Sequence, residues 1–201
     1  MSQFSLIPLT ELEAVNDLLA AIGESSVSSI ETVTTVDVTQ AKRTLSQINR
    51  EVQQKGWHFN TEWDVTLSLD SDNRLPLGTN VLSAYSPTNL ATMRGRSGTM
   101  YLYDLNDNTF TWTKAITDLV VIKLLDFQDL PQTARRYITT KAARVFQEEI
   151  IGQTTAETVN RQEEVEAYAD MLDDESERSG FNVGWGSIDM INTVRRHRKL
   201  W

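Results

Sequence analysis

The chain has 201 residues and a net charge of -9, from 19 basic and 28 acidic side chains. With no cysteine and only two distant histidines, His58 and His197, it excludes disulfides, thiolate chemistry, cysteine-ligated zinc and a histidine-rich metal site. The acidic balance weighs against a general nucleic-acid binder, and five Trp, five Tyr and six Phe require a packed core.

The first predicted helix runs over residues 10–22. Thr10 and Glu13 have capping-box spacing, Leu12, Val15, Leu18, Leu19 and Ile22 form one stripe, and Gly23 follows as a left-handed stop. The second helix, residues 38–55, has Asp37 as its expected N-cap and Val38, Ala41, Leu45, Ile48 and Val52 at steps of three and four. Gly56 closes it. Two such helices need each other and a further partner to cover both stripes.

After Gly56 the period changes to alternation. Trp57 and Phe59 and, after a slip at residues 60–62, Trp63, Val65, Leu67 and Leu69 read as strand. Residues 75–90 contain Pro76, Gly78 and Pro87 and read as short strands and loops. Residues 92–98, with Arg94 and Arg96, read as a flexible connection. Residues 100–105 and 109–112 flank Asn106, Asp107 and Asn108 as an expected three-residue hairpin. Residues 119–125 form a further strand, buried on both faces near its middle. This stretch contains the longest strongly apolar run and already includes Lys123, so nothing approaches the roughly 20 apolar residues that cross a bilayer.

A third helix is expected over residues 131–151, with Pro131 at its first position and Ala134, Tyr137, Ile138, Ala142, Val145, Phe146 and Ile150 on its apolar face. A fourth is expected over residues 155–177, with the thin stripe Val159, Val165, Tyr168 and Leu172. Eleven acidic residues lie between Glu148 and Glu177. The segment from Gly180 differs in kind. It combines glycines with Trp185 and Trp201 and a basic run of Arg195, Arg196, Arg198 and Lys199, a composition expected to become ordered when it docks on a partner.

No catalytic residue emerges. There is no Gly-x-Ser-x-Gly elbow and no phosphate-binding glycine loop. Glu62 and Asp64 flank Trp63, the pattern of a sugar site, but a solvated strand face opposite Trp63 is the favoured reading of the same residues. Asp70 and Asp72 fit a turn before Asn73. Asp104, Asp107 and Asn108 lack the glycine and distal glutamate of a calcium loop, and Glu163, Glu164 and Glu166 lack the histidine of a di-iron site. Arg94, Arg96, Trp185, Arg195, Arg196, Arg198 and Trp201 are the candidate interface residues, with protein favoured over nucleic acid as the partner.

The stretches LEAVNDLLAAIGESSVSS from Leu12, INREVQQKGWHFN from Ile48, YLYD from Tyr101 and LPQTARRYITTKAARVFQ from Leu130, with the acidic helix 162–174, carry a resemblance across almost the full chain. The chain resembles the tail tubular protein A family, the gatekeeper or adaptor of short-tailed phages of the T7 type. The resemblance implies a virion tail protein made in the host bacterial cytoplasm, without catalytic activity or cofactor. It also implies a fold similar to phage head-to-tail connector proteins. As partners it implies copies of itself in a twelve-subunit ring, the portal protein, the nozzle (tail tubular protein B), the tail fibre protein and phage DNA passing through the channel.

The expected fold is α+β, a bundle of about four helices with an inserted β-rich region. The expected parts are an N-terminal helical part at 1–56, a β-rich insertion at 57–129, C-terminal helices at 130–179 and an extended tail at 180–201. Two other functions compete with the adaptor: hydrolysis of envelope polysaccharide at Glu62, Trp63 and Asp64, and a DNA-contacting head-completion plug using Arg94, Arg96 and the basic tail.

Overall fold

Thr10 and Glu13 open the first helix as their spacing predicts. The Thr10 hydroxyl accepts from the Glu13 N–H at 3.2 Å, and the Glu13 carboxylate accepts from the Thr10 N–H at 2.8 Å. In the computed structural model, which describes residues 8–32, 35–152 and 157–178, this helix is α1, Glu11–Ala21. Helix α2 is Val36–Gln53. Its N-cap is Thr35, not the expected Asp37: the Thr35 hydroxyl accepts from the Val38 N–H. Asp37 falls instead in the first turn, where a carboxylate faces the positive end of the helix dipole. Between the two helices, the Asn16 amide brackets Val27, donating to its carbonyl at 3.0 Å and accepting from its N–H at 2.8 Å.

Helix α3, Gln132–Ile151, begins one residue later than expected because Pro131 is its N-cap. Helix α4, Glu157–Arg178, packs on α3. Its buried face corrects the predicted stripe. Ala167 and Met171 are buried and Tyr168 half-buried, while Val165 is 63% and Leu172 41% exposed. Val159 falls outside the residues whose side chains are described. Ion pairs and hydrogen bonds set this rotation: Arg144 to Glu164, Thr133 to Asp174 and His58 to Glu175. Glu164, Asp174 and Glu175 lie at helical spacing from Ala167 and Met171, so their tertiary partners turn that side inward.

Among the described residues, six strands lie between α2 and α3: β1 Thr61–Leu67, β2 Leu75–Pro76, β3 Val81–Tyr85, β4 Ala91–Arg96, β5 Thr99–Asp104 and β6 Ile116–Lys123. They form two three-stranded antiparallel sheets, ordered β1-β6-β3 and β2-β5-β4. Together with the four described helices this makes an α+β fold, as predicted.

Trp57 and Phe59, read as strand, lie instead in a turn ahead of β1, closed by Asn60 bonding back to Trp57, and pack with the helices. Two further predicted details of the sheet region are overturned. The segment expected to be a loop around Arg94 and Arg96 is strand β4, and residues 109–112 are not a strand. The cause of the first is the dipeptide Ser97-Gly98. Both residues have positive φ (51° and 84°), which closes a two-residue hairpin between β4 and β5 with the right twist. The cause of the second lies in Asp104. Its carboxylate accepts from the Asn106 and Asp107 N–H groups, so the chain turns over residues 105–108 and then pairs only through single bridges, Asp104 with Thr109 and Arg74 with Thr111.

The buried apolar residues gather in two clusters. One joins α1, α2, α3 and α4 around Leu18, Leu45, Ile138 and Phe146. The other lies with the sheets around Leu75, Leu102, Leu119 and Val121. Strand β6 is buried from Leu119 through Ile122, as expected for its apolar run.

Polar side chains join the two clusters. The buried Gln53 amide donates to the Leu125 carbonyl at 2.9 Å and accepts from the Leu125 N–H at 2.8 Å, mimicking one rung of a sheet. Asn60, also buried, donates to the carbonyls of Gln53 and Lys123 and accepts from the Trp57 N–H. Gly56 sits at this seam with φ +77°. A Cβ there would meet Ile122 Cδ1 at 2.6 Å, so a larger residue would have to displace the Ile122 side chain as well as strain the backbone.

Candidate functional site

The β4–β5 hairpin brings together the two arginines singled out in the sequence. Arg94 stands opposite Tyr101, Thr92 opposite Tyr103 and Arg96 opposite Thr99. Directly opposed residues share a face, and alternate residues along a strand share it too. Arg94, Arg96, Tyr101 and Tyr103 therefore lie on one face of the sheet. Met93 and Leu102 take the other face and pack with Leu75 in the sheet-side cluster.

Each arginine rests on an aromatic ring. The Arg94 guanidinium carbon is 3.7 Å from the Tyr103 ring centroid, and that of Arg96 is 5.4 Å from the Phe110 centroid. Phe110 in turn meets Tyr103 edge-on at 4.8 Å and Tyr101 at 6.2 Å. Arg74 lies 5.8 Å from the Tyr101 centroid and pairs with Asp72 at 3.1 Å. Arg94 and Arg96 are exposed, and among the described residues neither has a carboxylate partner.

This arrangement has a chemical consequence. Stacking covers the flat face of a guanidinium and contributes about 0.5–1 kcal/mol at an exposed site. It leaves the N–H groups at the edge of the plane free. Those groups form a fork that matches a carboxylate or a phosphate. Holding the arginines on rings reduces the rotamer freedom they would lose on binding. Tyr101, Tyr103 and Phe110 were not singled out in the sequence as part of this site. The signal that could have found them is Arg-x-Arg and Tyr-x-Tyr on either side of Ser97-Gly98.

The other predicted positions behave differently. Trp185, Arg195, Arg196, Arg198 and Trp201 lie outside the described residues. Glu62 pairs with Lys123 at 2.6 Å, and Trp63 is 56% exposed. Asp64 has φ 54° within a register shift between Glu62 and Val65, so the alternation that would put Glu62 and Asp64 on one face is interrupted. His58 lies in a turn outside any strand and packs edge-on against Phe59. Its backbone N–H donates to the Glu175 carboxylate and its Nδ1 lies 2.5 Å from Glu175 Oε2, tying the entry to β1 onto α4.

Local partners account for several of the acidic groups weighed in the sequence. Asp70 accepts from the Asp72 and Arg74 N–H groups, as its predicted turn requires. Glu164 holds Arg144, which also bonds Glu148, and these carboxylates keep the guanidinium charged. Tyr137 lines a groove of 220 Å³ beside this pair, and burial pushes its phenol up to about 12. Among the described residues, no group of three or more acidic or histidine side chains is placed to hold a metal. No helix among them is long and apolar enough to cross a membrane.

The tail tubular protein family matches residues 12–181. The chain belongs to the tail tubular protein family. It is also 29% identical over 166 residues to tail tubular protein A of Klebsiella phage KP34, a match covering 82% of this chain and 85% of that relative. This tail tubular protein is therefore a structural component of a phage tail, and the resemblance read from the sequence is correct at that level. The arginine and aromatic face, residues 94–110, falls inside the matched span. Trp185, Trp201 and the basic run fall beyond it.

Proposed function

We propose that this tail tubular protein is a ring-forming adaptor of the phage tail, placed between portal and nozzle, supporting the tail fibres and enclosing a channel for DNA. The observation that carries the reading is the family match over residues 12–181, to which the arginine and aromatic face adds a surface built for an anionic partner. A net charge of -9 suits a passage that must not retain DNA. The ring is held by heterologous contacts that close on themselves.

The role is structural and not hydrolytic. The interrupted register at residues 62–65 and the Lys123 partner of Glu62 favour a solvated strand over a paired-carboxylate site. Images of particles assembled with and without this protein test the placement. Tails lacking it should stop at the portal and carry neither nozzle nor fibres. Complete tails in its absence would refute the adaptor role, and release of sugar from envelope polysaccharide by the purified protein would refute the structural reading.

A further inference from the structure

Among the described residues Arg94 and Arg96 have no carboxylate partner, and α4 carries an acidic face in the complementary state. Val165 and Leu172 stand exposed seven residues apart, and Glu166, Asp173 and Glu177 line one side of them, all exposed. Among the described residues none of these three carboxylates has an ion-pair partner. Such a strip joins an apolar centre to a charged edge, the composition of an interface rather than of a plain solvated helix.

We infer that the Arg94/Arg96 face of one subunit docks on the Val165–Leu172 face of α4 in the next copy of this chain. The inference rests on the ring proposed above and names one contact that closes it. Spacing is compatible. Arg94 and Arg96 are about 6.6 Å apart along their strand, and Asp173 and Glu177 are about 6 Å apart along their helix. Arginine and tyrosine are enriched at the centres of protein interfaces, where the arginine fork pairs with carboxylates.

The fold also favours contact between copies. Helix α4 packs on α3, whereas the hairpin packs with β2 and β3, so the two faces belong to different halves of the subunit. A contact between different patches on identical chains is heterologous and propagates from copy to copy. DNA is the weaker occupant. A phosphate backbone offers nothing to Val165 and Leu172, and the chain's net charge of -9 opposes it.

The test uses the full-length protein and reads molar mass by light scattering over a concentration series, with circular dichroism melts as the check on folding. The double variant Arg94→Glu/Arg96→Glu should weaken self-association about tenfold or more. The triple variant Glu166→Lys/Asp173→Lys/Glu177→Lys should do the same from the other side. Mixed in equal amounts, the two variants should recover the mass of the parent assembly, because each reversed face then meets a complementary one. That recovery cannot come from misfolded chains.

Variants that associate as tightly as the parent would overturn the contact and leave the ring standing. Loss without recovery on mixing would overturn it as well. A parent that stays monomeric at every concentration would remove both the ring and its contact. Binding of a double-stranded oligonucleotide by the parent, lost in Arg94→Glu/Arg96→Glu with self-association intact, would make DNA the occupant and overturn the inference.

Discussion

The helices and the sheets of this molecule are held by different means. In the helical cluster the fully buried side chains are large and come from well-separated turns: Leu18, Leu19, Ile138 and Phe146. The helix ends rely on local features: Thr10 caps α1, Thr35 caps α2, Pro131 starts α3, and Gly152 ends it. The sheet cluster is smaller, and its geometry depends on single turn residues. Among the described residues, every non-glycine position with positive φ lies there: Asp64, Asn73, Ser97 and Asn108. Asp70, Asp104 and Asp118 each satisfy neighbouring N–H or O–H groups to shape a turn. The helices thus supply a rigid body, and the sheets supply turns that aim side chains outward. The arginine and aromatic face is on the second kind of structure, as binding groups commonly are when a scaffold positions them.

The largest expected effect tests the helical side. Phe146 is fully buried in the helical cluster, and Phe146→Ala should cost about 3–5 kcal/mol, seen as a lower chemical denaturation midpoint. An unchanged midpoint would show that this cluster does not dominate stability. Next comes the seam. Gln53→Ala leaves the Leu125 N–H and C=O without their partner, which should cost about 2–4 kcal/mol. If the halves unfold as one unit, tryptophan fluorescence and circular dichroism should still report a single shared transition in this variant. Two separated transitions would show that Gln53 is what couples them.

A smaller change probes the hairpin. Gly98 has φ +84° with open space around it, so Gly98→Ala meets only backbone strain, about 1–2 kcal/mol. Its melting temperature should fall modestly, and its effect should add to that of Phe146→Ala because the sites are distant. Strong non-additivity would erase the distinction between the two regions.

The smallest effect is electrostatic. The Thr88 hydroxyl, helped by Ser86 and against some desolvation, holds the Asp118 carboxyl below its ordinary value. A depressed folded value means that the contribution is present above the unfolded value of about 3.9 and is lost as pH falls through the folded value. The stability gap between the parent and Asp118→Asn should therefore be constant near neutrality and narrow below about pH 4. A gap that widens on acidification would reverse the assignment.

Much of this architecture is legible in local sequence. Steps of three and four locate the helices because a helix repeats every 3.6 residues, and Thr10 with Glu13 forms its cap from neighbours alone. The apolar run from Leu119 marks a buried strand because almost no polar side chain interrupts it. The stretches around Leu12, Ile48 and Leu130 carry the family resemblance by their order. Other features depend on residues distant in sequence. Val165 and Leu172 look like a packing stripe, yet Arg144, Thr133 and His58 turn α4 so that Ala167 and Met171 face inward. Arg94 and Arg96 look like loop residues, yet pairing with β5 and the arrival of Phe110 make them an ordered face. The physical division is one of range. Periodicity, capping and turn chemistry act over a few residues and can be read along the chain. The rotation of α4 and the rings beneath the arginines depend on partners that only the folded structure brings within reach.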